Sequence, residues 1–433
     1  MRFILFTFLI IFTNATVLGQ NLLTLDDAIK YALENNFNIR IARNETIINQ
    51  TNNTKGNAGM NPVVALNFGK NFNINNTRQE FFSGDIREGN GVNTNNLNAN
   101  IQANWTVFDG FRMFVNKNRL DEIENLGKIN LQLQMENTVA QVMSTYYNIE
   151  QQNKRIETIL QALEISKERL SLAKLNKEVG SGSGIPILQA EVDINADSSA
   201  LINQQLLLKN LKIQLNEIMA RNPEFDFEVS SSKDIAPFSF TDIYTQVENR
   251  NKMLQMADKN IQISQQNIKQ WEANKYPVID LNGGYNFTRL NAEIGILKFN
   301  QNAGVSGGLT ARWNIFNGWN NKREIQIAKL NVETGKLAKE QLNLTLKSDV
   351  LSIFNTYTYA NRMIGQEEQN INIAQQNLDI TSEKMRVGTI NSLELRQAQL
   401  NLIDANFRKI SAMFESKMAA LELMRLSGAL LPN

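Results

Sequence analysis

The chemistry open to this chain is narrowed first by what it lacks. Its 433 residues include no cysteine and no histidine, which removes thiolate nucleophiles, disulfides, imidazole bases and Cys/His zinc sites. Carboxylates remain, but no pair of acids is set apart in the loop context that two-carboxylate hydrolysis needs. The glycines of Val179-Gly-Ser-Gly-Ser-Gly184 have the outline of a phosphate cradle, yet no Lys-Ser/Thr follows them and they come after a helical pattern rather than a strand. A flexible tip that docks a partner, or simply a permissive turn, fits them better. Lys plus Arg number 44 against 43 Asp plus Glu, a balance with no electrostatic footprint for nucleic acid. The composition points away from an enzyme, and no cofactor or metal is expected.

The most informative residues are those that recur. Trp105-Thr-Val-Phe108-Asp-Gly110 returns as Trp313-Asn-Ile-Phe316-Asn-Gly318, at an offset of 208. The same offset carries Val179-Gly180 onto Val387-Gly388 and Gln189-Ala190 onto Gln397-Ala398. Upstream, Pro62 matches Pro277 and Ala32–Ile39 matches Val247–Leu254 at an offset of 215, so one seven-residue insertion lies between Pro62 and Trp105. Three matches at one offset mark a tandem duplication, with repeats at 20–222 and 223–433 and a seam near Pro223. Each repeat reads as helix, two strands, very long helix, tip, helix.

Strict alternation over ten or so residues predicts the strands. Leu97, Ala99, Ile101, Ala103, Trp105 and Val107 fall on one face, with Asn98, Asn100, Gln102, Asn104 and Thr106 on the other. The second repeat sets Val305, Leu309, Ala311, Trp313 and Ile315 against Ser306, Thr310, Arg312 and Asn314, and Phe68, Phe72, Ile279, Leu281, Tyr285 and Phe287 mark the partner strands. A polar face of Asn, Gln and Thr suits a transmembrane barrel, apolar toward lipid and polar toward a wet lumen. A soluble antiparallel sheet with one buried face would show the same alternation.

From Gly110 to Val179 and from Gly318 to Val387 there is no proline, which predicts helices of roughly seventy residues, about 100 Å long. Ile156, Ile159, Leu163, Ser166, Leu170 and Ala173 follow a heptad seam, mirrored by Ile364, Glu367, Ile371, Ala374, Leu378 and Thr381. That stripe is too thin for a dry bundle and suits helices packed around water. Glycine then stops each long helix, and a return helix follows each tip. At the other extreme, Arg2, the apolar run Phe3–Phe12 and the small residues before Gln20 predict a signal peptide over residues 1–19. Ten apolar residues are too few to span a bilayer.

Four strands cannot close a barrel, and open edges are forbidden in lipid. If the strands lie in a membrane, other copies must complete them, and the expected molecule is an oligomeric conduit of mixed α and β structure. The alternative is an exported coiled-coil scaffold or adhesin-like protein without a pore.

The duplicated plan, the Trp-x-x-Phe-(Asp/Asn)-Gly junctions and the Val-Gly tips resemble the TolC family of outer membrane efflux proteins over essentially the whole mature chain. The resemblance implies a homotrimer whose four strands per chain build a shared 12-stranded barrel, continued by a long periplasmic α-helical barrel. It also implies an exit duct for tripartite efflux or type I secretion, with outer-membrane lipid, a periplasmic adaptor (membrane fusion) protein and an inner-membrane pump of RND, ABC or MFS type as partners. Val179, Gly180, Ser181, Gly182, Val387, Gly388 and Thr389 then become the adaptor-docking tips. Trp105, Phe108, Gly110, Trp313, Phe316 and Gly318 become the strand–helix junctions. The family's periplasmic gate maps to Met385, Ile390, Asn391, Ser392, Glu394 and Gln397, where only Glu394 keeps an acid of the family's ionic lock. A ring of Glu394 carboxylates would favour cations; an ordinary acid in a helix's first turn is the alternative. Segments Thr77–Val92 and Leu290–Asn302, with Phe81, Phe82 and Ile294–Leu297, are expected as external loops.

Overall fold

The computed structural model describes residues 22–180, 183–232 and 237–431. The expected signal peptide and the tip residues Ser181 and Gly182 lie outside the described residues. In chain order, β1 (Leu22–Leu23), α1 (Leu25–Asn35) and α2 (Phe37–Asn52) precede β2 (Val63–Glu80) and β3 (Ile86–Phe108), and α3 (Arg112–Glu178) and α4 (Ile185–Ile218) follow. A second series has the same order: β4 (Glu228–Val229), α5 (Phe240–Arg250), α6 (Lys252–Ala273), β5 (Val278–Ala292), β6 (Phe299–Arg312), α7 (Asn320–Arg386) and α8 (Ser392–Leu426). Both α3 and α7 are 67 residues long, about 100 Å of uninterrupted helix. Among the described residues, no helix is long and apolar enough to cross a membrane.

The first helix of each series departs from the expected single rod. It breaks at Asn36 and again at Asn251, which close α1 and α5. Asn36 Oδ1 accepts from the N–H groups of Asn38 and Ile39, capping α2, while its Nδ2 donates to the Ile218 carbonyl at 2.7 Å. Asn251 Nδ2 donates to the Leu426 carbonyl at 2.9 Å. In each case the acceptor is the last residue of a return helix, whose carbonyl has no partner within its own helix.

The strands β2-β3-β5-β6 form one antiparallel sheet in that order. Among the described residues, the outer edges of β2 and β6 carry no partner strand. Two expectations change here. Trp313 and Ile315 lie beyond the end of β6 at Arg312 rather than in the strand. Most of Thr77–Val92 and of Leu290–Asn302 is strand rather than loop, because β2 runs to Glu80, β3 begins at Ile86, β5 runs to Ala292 and β6 begins at Phe299.

The chain forms two compact units. Among the described residues, one takes 22–40, 134–251 and 345–431; the other takes Ile41–Leu133 and Lys252–Leu344. Each draws on both sides of Pro223. The first unit has its core where Ala28, Ala32, Val139, Val142, Tyr146, Leu215, Met219, Phe227 and Leu421 pack together. The Tyr146 hydroxyl lies 2.9 Å from the Leu23 carbonyl and 2.7 Å from that of Ser230, which ties the short β1–β4 pair to α3. The second unit contains the four-stranded sheet.

Candidate channel-forming site

Cross-strand neighbours in a sheet point to the same side, so the register assigns the two faces residue by residue. One face carries the rows Val64–Ala103–Gly283–Gly307, Leu66–Ile101–Tyr285–Val305 and Phe68–Ala99–Phe287–Ala303. In the single chain these side chains are bare: Leu66 is 76% exposed, Phe68 73% and Val305 85%. An apolar surface of this extent marks contact with lipid or another chain. The opposite face carries Asn67–Asn100–Asn286 and Gln102–Gly284–Ser306. Its amides bond across strands, Asn67 Nδ2 to Asn100 Oδ1 at 2.9 Å and Asn286 Nδ2 to Ser306 Oγ at 2.8 Å. Near the helical end, Asp280 accepts from Thr106 Oγ1 at 2.7 Å and from Arg312 at 2.9 Å. Gly284 is required for closeness, since a Cβ there would strike the Ile101 carbonyl of β3.

The repeated junction motif has a local function for each of its residues. Trp105 Nε1 donates to the Met60 carbonyl at 2.9 Å, and Trp313 Nε1 to that of Lys275 at 3.1 Å. Asp109 Oδ1 accepts from the Met113 N–H and Asn317 Oδ1 from the Asn321 N–H, filling bonds left open where α3 and α7 begin. Gly110 and Gly318 have φ of 71° and 65°, followed by Phe111 at 70° and Trp319 at 64°. The Phe108 ring meets Phe111 edge-on at 5.3 Å, and Phe316 meets Trp319 edge-on at 5.8 Å. Each junction thus turns a strand into a helix by the same left-handed step, clamped by an aromatic pair.

At the tips, Val179 is exposed and Gly180 has φ of 78°. The second tip is a Schellman turn: the Thr389 N–H reaches the Lys384 carbonyl and that of Gly388, at φ 75°, reaches Met385. Val387 is exposed. Asn391 then caps α8, its Oδ1 accepting from Leu393 and Glu394 N–H at 3.0 Å. Of the expected gate residues, Glu394 and Gln397 are exposed, and Gln397 Nε2 donates to Asn401 Oδ1. Met385 and Ser392 are buried. Met385 belongs to an apolar cluster with Leu378, Leu395 and Ala398, against which Ile390 packs.

Next to this cluster lies a polar assembly that the sequence reading missed. Arg169 of α3 is 1% exposed and pairs with Asp193 of α4. Asp197 accepts a two-pronged bond from Arg396 of α8, at 2.9 and 2.8 Å, and a third from Ser166 Oγ at 2.6 Å. Gln399 Nε2 donates to the Ala162 carbonyl and to Ser166 Oγ. Burial pushes the Arg396 guanidinium down, but the hydrogen bonds and charge of Asp197, then Asp193, outweigh it and raise its pKa. In the sequence these are isolated charges on three helices. The only signal was Ser166, a polar residue on the heptad seam.

At the far end of the sheet, the β2–β3 turn (81–85) carries a fully exposed Phe82, while the Phe81 ring lies 5.0 Å from Arg87. The β5–β6 loop straps this hairpin, with the Gly295 carbonyl accepting from Arg87 at 2.9 Å and Glu293 accepting from the Asn93 N–H at 2.8 Å.

The chain is 20% identical over 328 residues to the outer membrane efflux protein BepC of Brucella suis biovar 1 (strain 1330), a match covering 76% of this chain and 71% of that protein. Its fold is similar to that of VceC, an outer membrane protein of Vibrio cholerae, with a TM-score of 0.76 at 13% identity over 93% of this chain and 96% of that one. It is similar also to the CmeC outer membrane channel of Campylobacter jejuni, with a TM-score of 0.78 at 11% identity over 94% and 85% of the two chains. The outer membrane efflux protein family matches residues 28–221 and 243–429, most of the sequence, and the chain belongs to that family.

Proposed function

We propose that three copies of this chain form a passive exit duct, each contributing β2, β3, β5 and β6 to one twelve-stranded barrel. The observation that carries the proposal is the sheet itself. Among the described residues it has an apolar face with nothing over it, an amide-lined face opposite, and two edges without partners. In a bilayer, bare edges are excluded, so β2 of one copy pairs with β6 of the next. Twelve strands leave a lumen wide enough for water, whereas eight are filled by their own side chains. The matching element series, with equivalent left-handed junctions at Gly110 and Gly318, support a tandem duplication behind the four strands.

The long helices carry the duct into the periplasm, where the tips at Val179-Gly180 and Val387-Gly388-Thr389 dock an adaptor linked to an inner-membrane pump, for efflux or type I secretion. Glu394, exposed beside the second tip, forms the charged ring of the constriction, with Asn391, Ser392 and Gln397 supplying hydrogen bonds in place of an ionic lock. The native mass of protein extracted in mild detergent tests the assembly, and a trimer that requires detergent is expected. A detergent-independent monomer would end the duct reading. For the trimer in planar bilayers, Glu394→Gln lowers the preference for cations over anions; an unchanged reversal potential places the constriction elsewhere.

A further inference from the structure

The apolar face of the sheet ends in a pattern that its membrane role alone does not require. From Ile279 to Phe287 on β5 the outward positions span nine residues, the length a tilted strand needs to cross the hydrocarbon core. The next row toward the hairpin ends is Lys70–Leu97–Arg289–Gln301, and the one after it is Phe72–Asn95–Asn291–Phe299. Two cations therefore stand on the lipid-facing side, two strands apart, about 10 Å between backbones. Both are exposed, and neither is in an ion pair among the described residues. Each instead lies over an aromatic ring of the next row, Lys70 at 4.8 Å from Phe72 and Arg289 at 5.2 Å from Phe299. Charge on the lipid face is costly at mid-bilayer and nearly free at the interface, and long basic side chains reach toward headgroups.

We infer that this double row is a binding site for the phosphorylated glycolipid headgroup of the outer leaflet. Lys70 and Arg289 take the phosphates, Asn95 and Asn291 face the sugar hydroxyls, and Phe72 and Phe299 flank the sugar and the upper acyl chains. A lipid rather than free phosphate is the occupant, because the cations adjoin the apolar band directly and acyl chains bound to Phe68 and Phe287 would place a headgroup on them. The inference rests on the sheet lying in the outer membrane with its hairpins outward.

The test uses the full chain, purified in detergent, delipidated and titrated by native mass spectrometry with bisphosphorylated lipid A and with the same lipid stripped of phosphate. Wild type prefers the phosphorylated lipid. Lys70→Gln and Arg289→Gln each reduce that preference about fivefold, and about thirtyfold together. Lys298→Gln, which removes a positive charge from the neighbouring loop, leaves the preference unchanged. Equal binding of the two lipids by wild type overturns the inference even if a variant fails to fold, as does a folded double variant that keeps the preference. Displacement by inorganic phosphate at equal concentration also overturns it. A detergent-dependent trimer indifferent to phosphate sinks this inference alone, whereas a detergent-independent monomer sinks the duct.

Discussion

Asp197 receives hydrogen bonds from Arg396 and Ser166 while itself 9% exposed, so the cost of changing it depends on what is left behind. Removing one partner of a buried pair strands the other, at about 3–5 kcal/mol, whereas removing both with apolar groups is close to neutral. Asp193, 3.8 Å from Arg396, stays behind as a partial partner, so Asp197→Leu is expected to lower stability by somewhat less than that in a denaturant titration followed by circular dichroism. Asp197→Leu with Arg396→Leu is expected to recover most of it, and a double variant as unstable as the single one would contradict this. Glu367 presents the opposite case. It occupies the seam position equivalent to Ile159, but as a buried carboxylate bonded at 2.9 Å to Arg408 of α8. That hydrogen bond from Arg408, then one from Asn370, holds its pKa below the ordinary glutamate value of 4.5 against the opposing effect of burial. A folded pKa depressed in this way contributes stability above the unfolded value and loses it as pH falls through the folded one. Wild type is thus expected to lose helical stability as the pH drops below 4.5, and Glu367→Gln to flatten that part of the pH profile.

At the level of elements, the two strand–helix junctions look alike but do not tolerate change alike. Both glycines are left-handed, which costs an alanine about 1 kcal/mol or more. A Cβ at Gly110 would in addition strike the Ala273 carbonyl, whereas Gly318 has only the Asn320 side chain, 4.0 Å away. Gly110→Ala is expected to lower the melting temperature more than Gly318→Ala, and the reverse order would reject the packing argument. These junctions, the four strands and the two long helices were legible because each depends on local pattern: alternation, an absence of proline, a glycine at the turn. What was not legible depends on distant partners. The breaks at Asn36 and Asn251 need the carbonyls of Ile218 and Leu426, and nothing within the first helix of either series announces them. The Arg169–Asp193–Asp197–Arg396 assembly likewise exists only once α3, α4 and α8 are side by side. Alternation carried the strand through Trp313 to Ile315, three residues too far, because it tracks side chains and not the hydrogen bonds that end β6 at Arg312.

As a member of its family the whole molecule is an outer-membrane channel protein with a large periplasmic helical portion, not an enzyme. Its two hairpins differ in height. Pairing of β3 with β5 ends at Thr94–Ala292, while β2 and β3 stay paired out to Glu80–Ile86. The extension runs along β3 from Asn93 to Ile86, about 25 Å at a strand's rise per residue, and the seven residues inserted between Pro62 and Trp105 supply only about half of its two strands. Because it begins beyond the apolar band, shortening this hairpin past Val92 is expected to leave the detergent-extracted assembly and its conductance intact; loss of assembly would show that the arm joins neighbouring copies. The other face of the sheet has a consequence for traffic. Asn67 and Asn100, Asn282 and Thr310, and Asn286 and Ser306 are uncharged and already bonded to one another across strands. Above the Asp280–Arg312 pair, such a wall offers a passing molecule little that water does not, neither an ion to pair with nor grease to adhere to. Cargoes of unrelated chemistry would slide along it with short dwell times, so discrimination would fall to whatever loads the duct and the outer stretch would behave as low-friction plumbing.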